Sequence, residues 1–488
     1  MPAATTAPGA DRERWIALVV LCVGMLMIIL DQTIVNVALP SIQADLGFTQ
    51  SSLAWVVNAY LIAFGGLLLL AGRVGDLVGR RSVFLAGLAV FTAASLLCGL
   101  AQSEAMLIGA RFVQGLGGAL TSAVILGMIV TLFPAPGERA KAIGVYSFVA
   151  SAGASIGLLA GGALTEAINW HWIFFVNVPI GVATALAARR LLDRDQGLGL
   201  ARGADVAGAV LVTGALMLAV YTIVGAADHG WGSAHTLGLG AAAAGLLAAF
   251  VVREARAASP LVPLRVFRSR TLAAANLIQM LMVAGLFGMF FLGALYLQRV
   301  LGFDALEVGL AFLPVALTIG AMSLAVSPRL ILRFGALPTL LPGLLLIAAG
   351  LVLFQRAPVD GDYVRDLLGV MLLLGVGAGL SFPALMTLAM AGAGPSDAGL
   401  ASGLVNTTQQ VGGALGLAVL ATLATTRTEG RLADGAPAAA ALTDGYHLAF
   451  ALGAGLAVAA IALAVVLLGR AGAPERETAG AEPAYEEG

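Results

Sequence analysis

The sequence predicts an all-α integral membrane protein of fourteen transmembrane helices, arranged as six, two and six. Three observations carry that prediction. Of the 488 residues, 60% are apolar and only 11% are charged, against roughly 25% charged in soluble domains; the mean hydropathy is +0.97. Apolar runs of about twenty residues, each long enough for a ~30 Å hydrocarbon layer, recur along the chain. The basic residues between them alternate between rich and poor loops, as an even number of crossings requires.

Runs bounded by charge, Pro or Gly begin near Trp15, Leu53, Ser82, Ala105, Ala140, His171, Asp205, Thr236, Leu272, Ala305, Leu337, Arg365, Ala398 and Tyr446. The first follows Arg12 and Arg14 and is too long for a signal-peptide core, so it reads as a retained helix. With the N-terminus inside, the outer loops hold only Arg299, Arg356, Arg365, Arg427 and Arg431. Arg111 aside, every other basic residue falls on the inner side, which predicts cytoplasmic termini in a plasma membrane. Dropping one span would reverse the bias downstream.

A repeat orders the spans. GRVGDLVGRR at 72–81 follows the second span and SPRLILRFGA at 327–336 follows the tenth, with Arg73 and Gly79 matching Arg329 and Gly335 at an offset of 256. The chain divides into a cytoplasmic tail (1–14), a six-helix bundle (15–195), two inserted helices with linkers (196–270), a second six-helix bundle (271–470) and an acidic, disordered tail (471–488). Two parallel six-helix halves with a site between them are a secondary-transporter architecture.

The chemistry is concentrated in a few stretches. Asp31 lies inside LDQTIVNVALP, where a central carboxylate costs about 2.5–3.5 kcal/mol and so faces a cavity or a partner. Gln32 and Asn36 share its side of the helix. Arg111 is the one cation buried in a span of the first half. Helix rise places Asp31 ~12 Å and Arg111 ~9 Å from the same outer face, so the two can meet. Attraction would favour the ionised carboxylate and desolvation would oppose it, so a conformational change could bind or release a proton. A static ion pair that merely orients two helices is the plainer alternative.

In GRVGDLVGRR, Gly72 and Gly79 permit a tight turn, Asp76 is placed to cap the third helix, and Arg73, Arg80 and Arg81 can pair with acids or interfacial lipid. The motif is expected to form a conformational latch between the halves. Gly153, Gly157 and Gly161, with Gly162, give the fifth helix a small-residue face for close packing or rocking. Trp55, Asn58, Tyr60, Gln114, Asn276, Gln279, Asn406, Gln409 and Gln410 are candidates, with Gln32 and Asn36, for a substrate cavity. Cys22 and Cys98 sit within spans and the four histidines lack ligand spacing, so neither metal nor cofactor is expected. No nucleophile–base or metal constellation supports an enzyme.

Together these stretches resemble the fourteen-span drug:proton antiporters of the major facilitator superfamily. LDQTIVNVALP is similar to that group's first-helix motif, GRVGDLVGRR to the superfamily's loop motif, and LIGARFVQGLGGA to the fourth-helix motif whose arginine is implicated in proton coupling. WHWIFFVNVPIG resembles the start of the sixth helix, with His171 at the usual arginine. The fifth-helix motif departs in having Leu158, where proline is usual, after Gly157. The resemblance implies the major facilitator fold and export of amphipathic small molecules by alternating access. Asp31 and Arg111 would couple it to the proton gradient. Membrane lipids are the expected surroundings, a monomer the expected state, and no nucleic acid is involved. The alternatives are a proton symporter or lipid or metabolite exporter of the same fold and, from another class, a non-transporting scaffold or sensor.

Overall fold

The computed structural model describes residues 8–49, 52–193, 195, 197, 199, 205–258, 260–391 and 398–468. Residues 1–7 of the predicted N-terminal tail and the whole predicted disordered tail, 471–488, lie outside them. The first bundle holds α1 (Pro8–Leu46), α2 (Trp55–Val78), α3 (Arg80–Gly99), α4 (Glu104–Leu132), α5 (Pro136–Ala167) and α6 (Trp172–Leu191). The insert is α7 (Val206–His229) and α8 (Ala234–Arg256). The second bundle holds α9 (Arg270–Arg299), α10 (Ala305–Phe334), α11 (Ala336–Phe354), α12 (Tyr363–Ala391), α13 (Ala398–Ala433) and α14 (Ala438–Leu468). Thirteen of these are long and apolar enough to cross a membrane. The remaining one, α5, is a 32-residue helix. The chain is a multi-pass membrane protein.

Local chemistry sets the helix starts. Ser103, Ser233 and Ser269 accept from the amides of Met106, Thr236 and Leu272, and Asp304 and Glu307 form a reciprocal capping box. The largest departure from the sequence expectation is α14, which begins at Ala438 and not near Tyr446. Asp444 breaks the hydropathy there, but its carboxylate is paired with Arg431 of α13 at 2.6 Å. The pairing offsets the charge and lets the helix continue through it.

The repeat is visible in the packing. In the first bundle α1 packs on α5 and α3 on α4; in the second α9 packs on α13 and α11 on α12. Gly79 ends α2 at φ 108° and Gly335 ends α10 at φ 93°, a left-handed backbone that favours glycine at both repeat positions. The bundles meet along two seams, α2 on α13 and α5 on α10, which exchange under the repeat. The insert breaks this symmetry. Helix α7 packs across both α2 and α13, covering one seam, while α8 packs mainly on α7 and is largely exposed.

The bundles touch directly on the side away from the termini. There Gln298 Nε2 of α9 donates to the Val37 carbonyl of α1 at 2.8 Å. A Cβ on Gly162 would lie 2.6 Å from the Ala305 carbonyl oxygen, so glycine is required for this approach of α5 to α10.

Candidate functional site

A cavity of about 600 Å³ lies between the bundles. Its first-bundle wall carries Gln32, Thr33, Asn36, Tyr60, Arg111 and Leu158; its second-bundle wall includes Phe287, Phe290, Phe291, Phe382 and Ser323. Ser323 and Leu324 belong to a π turn, Met322–Val326, within α10, a local widening often found where helices line functional sites.

Asp31 is not on that wall. It points into the first bundle and is 0% exposed. Arg111 Nη1 donates to Asp31 Oδ2 at 2.5 Å, so the depth match read from the sequence corresponds to a direct ion pair. Arg111 also donates from Nε to the Val56 carbonyl at 2.9 Å and from Nη1 to Gln114 Oε1 at 2.7 Å. Its guanidinium carbon lies 4.5 Å from the centre of the Tyr60 ring, within cation–π range. The other carboxylate oxygen, Oδ1, accepts from Gln114 Nε2 at 2.7 Å and from Asn177 Nδ2 at 3.0 Å. Residues from α1, α2, α4 and α6 thus enclose one charge pair with both charges satisfied. In a low-dielectric interior, breaking such a pair leaves a costly isolated charge.

Several sequence expectations change here. Gln32, Asn36 and Tyr60 do line the cavity, whereas Gln114 belongs to the Asp31 cluster and Asn58 is fully buried and off the cavity wall. Trp55 is buried at the start of α2 and is not a wall residue. Thr408 of α13 donates to Asn276 Oδ1 of α9 at 2.9 Å, and Gln279 Nε2 donates to Gln409 Oε1 at 3.4 Å. These amides tie α9 to α13, and Gln410 is buried against Gly65 of α2. Polar groups without water find each other, and Asn276, Gln279 and Gln409, three of the expected cavity residues, do so. The phenylalanines of the facing wall carry no such signal, because Phe inside an apolar span reads the same whether it faces lipid or a cavity.

The α2–α3 connection also differs from expectation. Asp195, not Asp76, caps α3: it accepts from the amides of Arg80 at 2.6 Å and Arg81 at 3.1 Å. Asp76 instead pairs with the Arg80 side chain at 3.1 Å. Arg80 further donates to the Gly127 carbonyl of α4 at 3.1 Å, and Arg81 to the Arg189 carbonyl of α6 at 2.5 Å. These contacts lie within the first bundle and not between the halves. Gly72, Arg73, Asp76 and Arg80 do face the second half across a cavity of about 690 Å³ on the termini side, whose opposite wall includes Gly403 and Asn406 of α13 and which Leu261 of the linker after the insert also lines.

The glycine face of α5 also divides. Gly153, Gly157 and Gly161 lie against α1 of the same bundle, where a Cβ on Gly161 would be 2.7 Å from the Ile34 carbonyl oxygen. They cannot form a rocking surface between bundles; that seam uses Gly162 and Gly309. His171, at the position usually held by arginine, has Nε2 3.9 Å from Asp45 Oδ2.

Two helical bundles of repeated path, a cavity between them and a buried ion pair behind its wall define a membrane transporter of the two-bundle class. Residues 21–417 match the model of the Major Facilitator Superfamily. The chain belongs to that superfamily and is a transporter, not an enzyme. It is 41% identical over 466 residues, 94% of this chain and 92% of the relative, to the puromycin resistance protein pur8 of Streptomyces alboniger. It is 41% identical over 455 residues, 92% of this chain and 91% of the relative, to the cephamycin export protein CmcT of Amycolatopsis lactamdurans. Among solved structures it resembles a bacterial homolog of the human lysosomal transporter Spinster, with a TM-score of 0.66 at 18% identity, covering 94% of this chain and 97% of that one. The nucleoside transporter NupG gives 0.67 at 12% identity, covering 93% and 99%.

Proposed function

We propose that this protein exports amphipathic small molecules, antibiotics among them, across the plasma membrane in exchange for protons. The observation that carries the proposal is the Asp31–Arg111 pair, fully buried yet only one side chain behind the cavity, with Arg111 and Tyr60 shared between the two. The resistance and export proteins among its relatives support the substrate class. In this scheme Asp31 takes up a proton when the cavity opens outward and releases it inward as substrate binds against the phenylalanines. Protonation removes the anion that Arg111 holds, so the guanidinium is free to re-pair and the α1–α4 contact to shift. No resident cofactor is used; the proton gradient supplies the energy.

The distribution of arginines supports cytoplasmic termini. On that side the 72–81 motif acts as the latch, closing onto α13 across the 690 Å³ cavity when the bundles rock. The protein works as a monomer surrounded by lipid. Leu158 in place of the usual proline is the one feature that favours a symporter.

Reconstitution into liposomes with an imposed pH gradient and a panel of lipophilic compounds tests the proposal. Accumulation against the direction of proton flow is expected. Flux that ignores the gradient would overturn proton coupling, and accumulation along the proton flow would establish symport.

A further inference from the structure

One serine hydroxyl fixes how the Asp31 site is built. Ser95 Oγ of α3 donates to the Phe174 carbonyl of α6 at 2.9 Å, which uses its single proton. The oxygen can then only accept, and it does so from Asn177 Nδ2 at 3.1 Å and Gln114 Nε2 at 3.1 Å. Both amides are thereby turned with nitrogen, not oxygen, towards Asp31 Oδ1. Gln114 has a second orienting contact, because its Oε1 accepts from Arg111. Asn177 has none: its Oδ1 is buried without a hydrogen-bond partner. All three side chains are 0% exposed.

We propose that Ser95 and Asn177 are positioning residues that set the pH at which Asp31 exchanges its proton. Asn177 supplies a donor that stabilises the carboxylate only, and Ser95 holds it in that sense. The other groups facing Asp31 are Arg111 and Gln114 from α4, Tyr60 from α2 and Cys98 from α3. Arg111 is the cation among them, and the uncharged Tyr60 and Cys98 add no counter-charge. The inference rests on the proton-coupled function proposed above.

The test is the pH profile of substrate exchange in proteoliposomes for the wild type, Asn177→Leu and Ser95→Ala. Losing a donor to the anion makes protonation easier, so the half-maximal pH should rise by about one unit in Asn177→Leu. Ser95→Ala should shift it the same way by less, since Asn177 keeps its donor but loses its orientation. Thermal stability in detergent separates misfolding from retuning. If Asn177→Leu misfolds, Ser95→Ala, which removes a single oxygen, decides the matter. Reduced rate with an unmoved midpoint, or a midpoint moved downwards, overturns the inference. A wild type without any pH dependence would instead overturn the coupling itself.

Discussion

The two bundles follow one path with opposite chemistry. Where the first has Asp31, Ser95, Arg111 and Gln114, the second has Phe287, Leu351, Leu367 and Val370, each 256 residues later. Helices α1 to α5 and α9 to α13 keep that register, so the equivalence is one of position in the fold. Leu351, Leu367 and Val370 are buried, and Phe287 turns to the cavity. The repeat therefore duplicates a backbone, while the charge cluster and the aromatic wall are assigned to different halves. In the proposed mechanism, one half changes its charge and the other holds an apolar molecule.

The sharpest way to break this comparison is to exchange the chemistry. Arg111→Leu leaves a buried carboxylate unpaired and should lower stability by about 3–5 kcal/mol, while adding Asp31→Asn should recover much of it. Leu367→Arg buries a cation without a partner and should destabilise on a similar scale. Thermal unfolding in detergent measures both, and a tolerated Leu367→Arg would show that the halves are not so different. A smaller effect is expected at the seams. A Gly162→Leu side chain would strike the Ala305 carbonyl, costing about 1–3 kcal/mol and favouring the state in which α5 and α10 part. Cysteine cross-linking between the outer ends of those helices would report it as a slower reaction.

Phe287→Ala should weaken substrate binding by roughly tenfold, about the loss of one aromatic contact, without moving the pH midpoint. A moved midpoint would mean that the aromatic wall also takes part in proton exchange. Asp76→Asn removes a partly exposed ion pair and should change stability by less than about 1 kcal/mol. A much larger loss of transport would then report the latch.

The sequence made the fourteen spans and the Asp31–Arg111 meeting legible, because hydropathy and helix rise are simple functions of position. It did not reveal Asn177 or Ser95. Asparagine and serine are common near helix ends, and only the turn of α6 brings Asn177 within 3.0 Å of Asp31. Asp195 was hidden for a similar reason, since a loop carboxylate carries no register. Asn276, Gln279 and Gln409 were legible as polar positions, but a sequence does not say whether an amide faces a cavity or another amide. The cavity phenylalanines had no polar signature; their clue was the repeat itself, which set Phe287 opposite Asp31.

The central claim is that Asp31 changes its charge during transport. Proteoliposomes holding Asp31→Asn should still exchange labelled for unlabelled substrate at equal pH, yet fail to accumulate substrate when a pH gradient is imposed. Full gradient-driven accumulation by Asp31→Asn would contradict the account and leave the ion pair as a fixed strut between two helices.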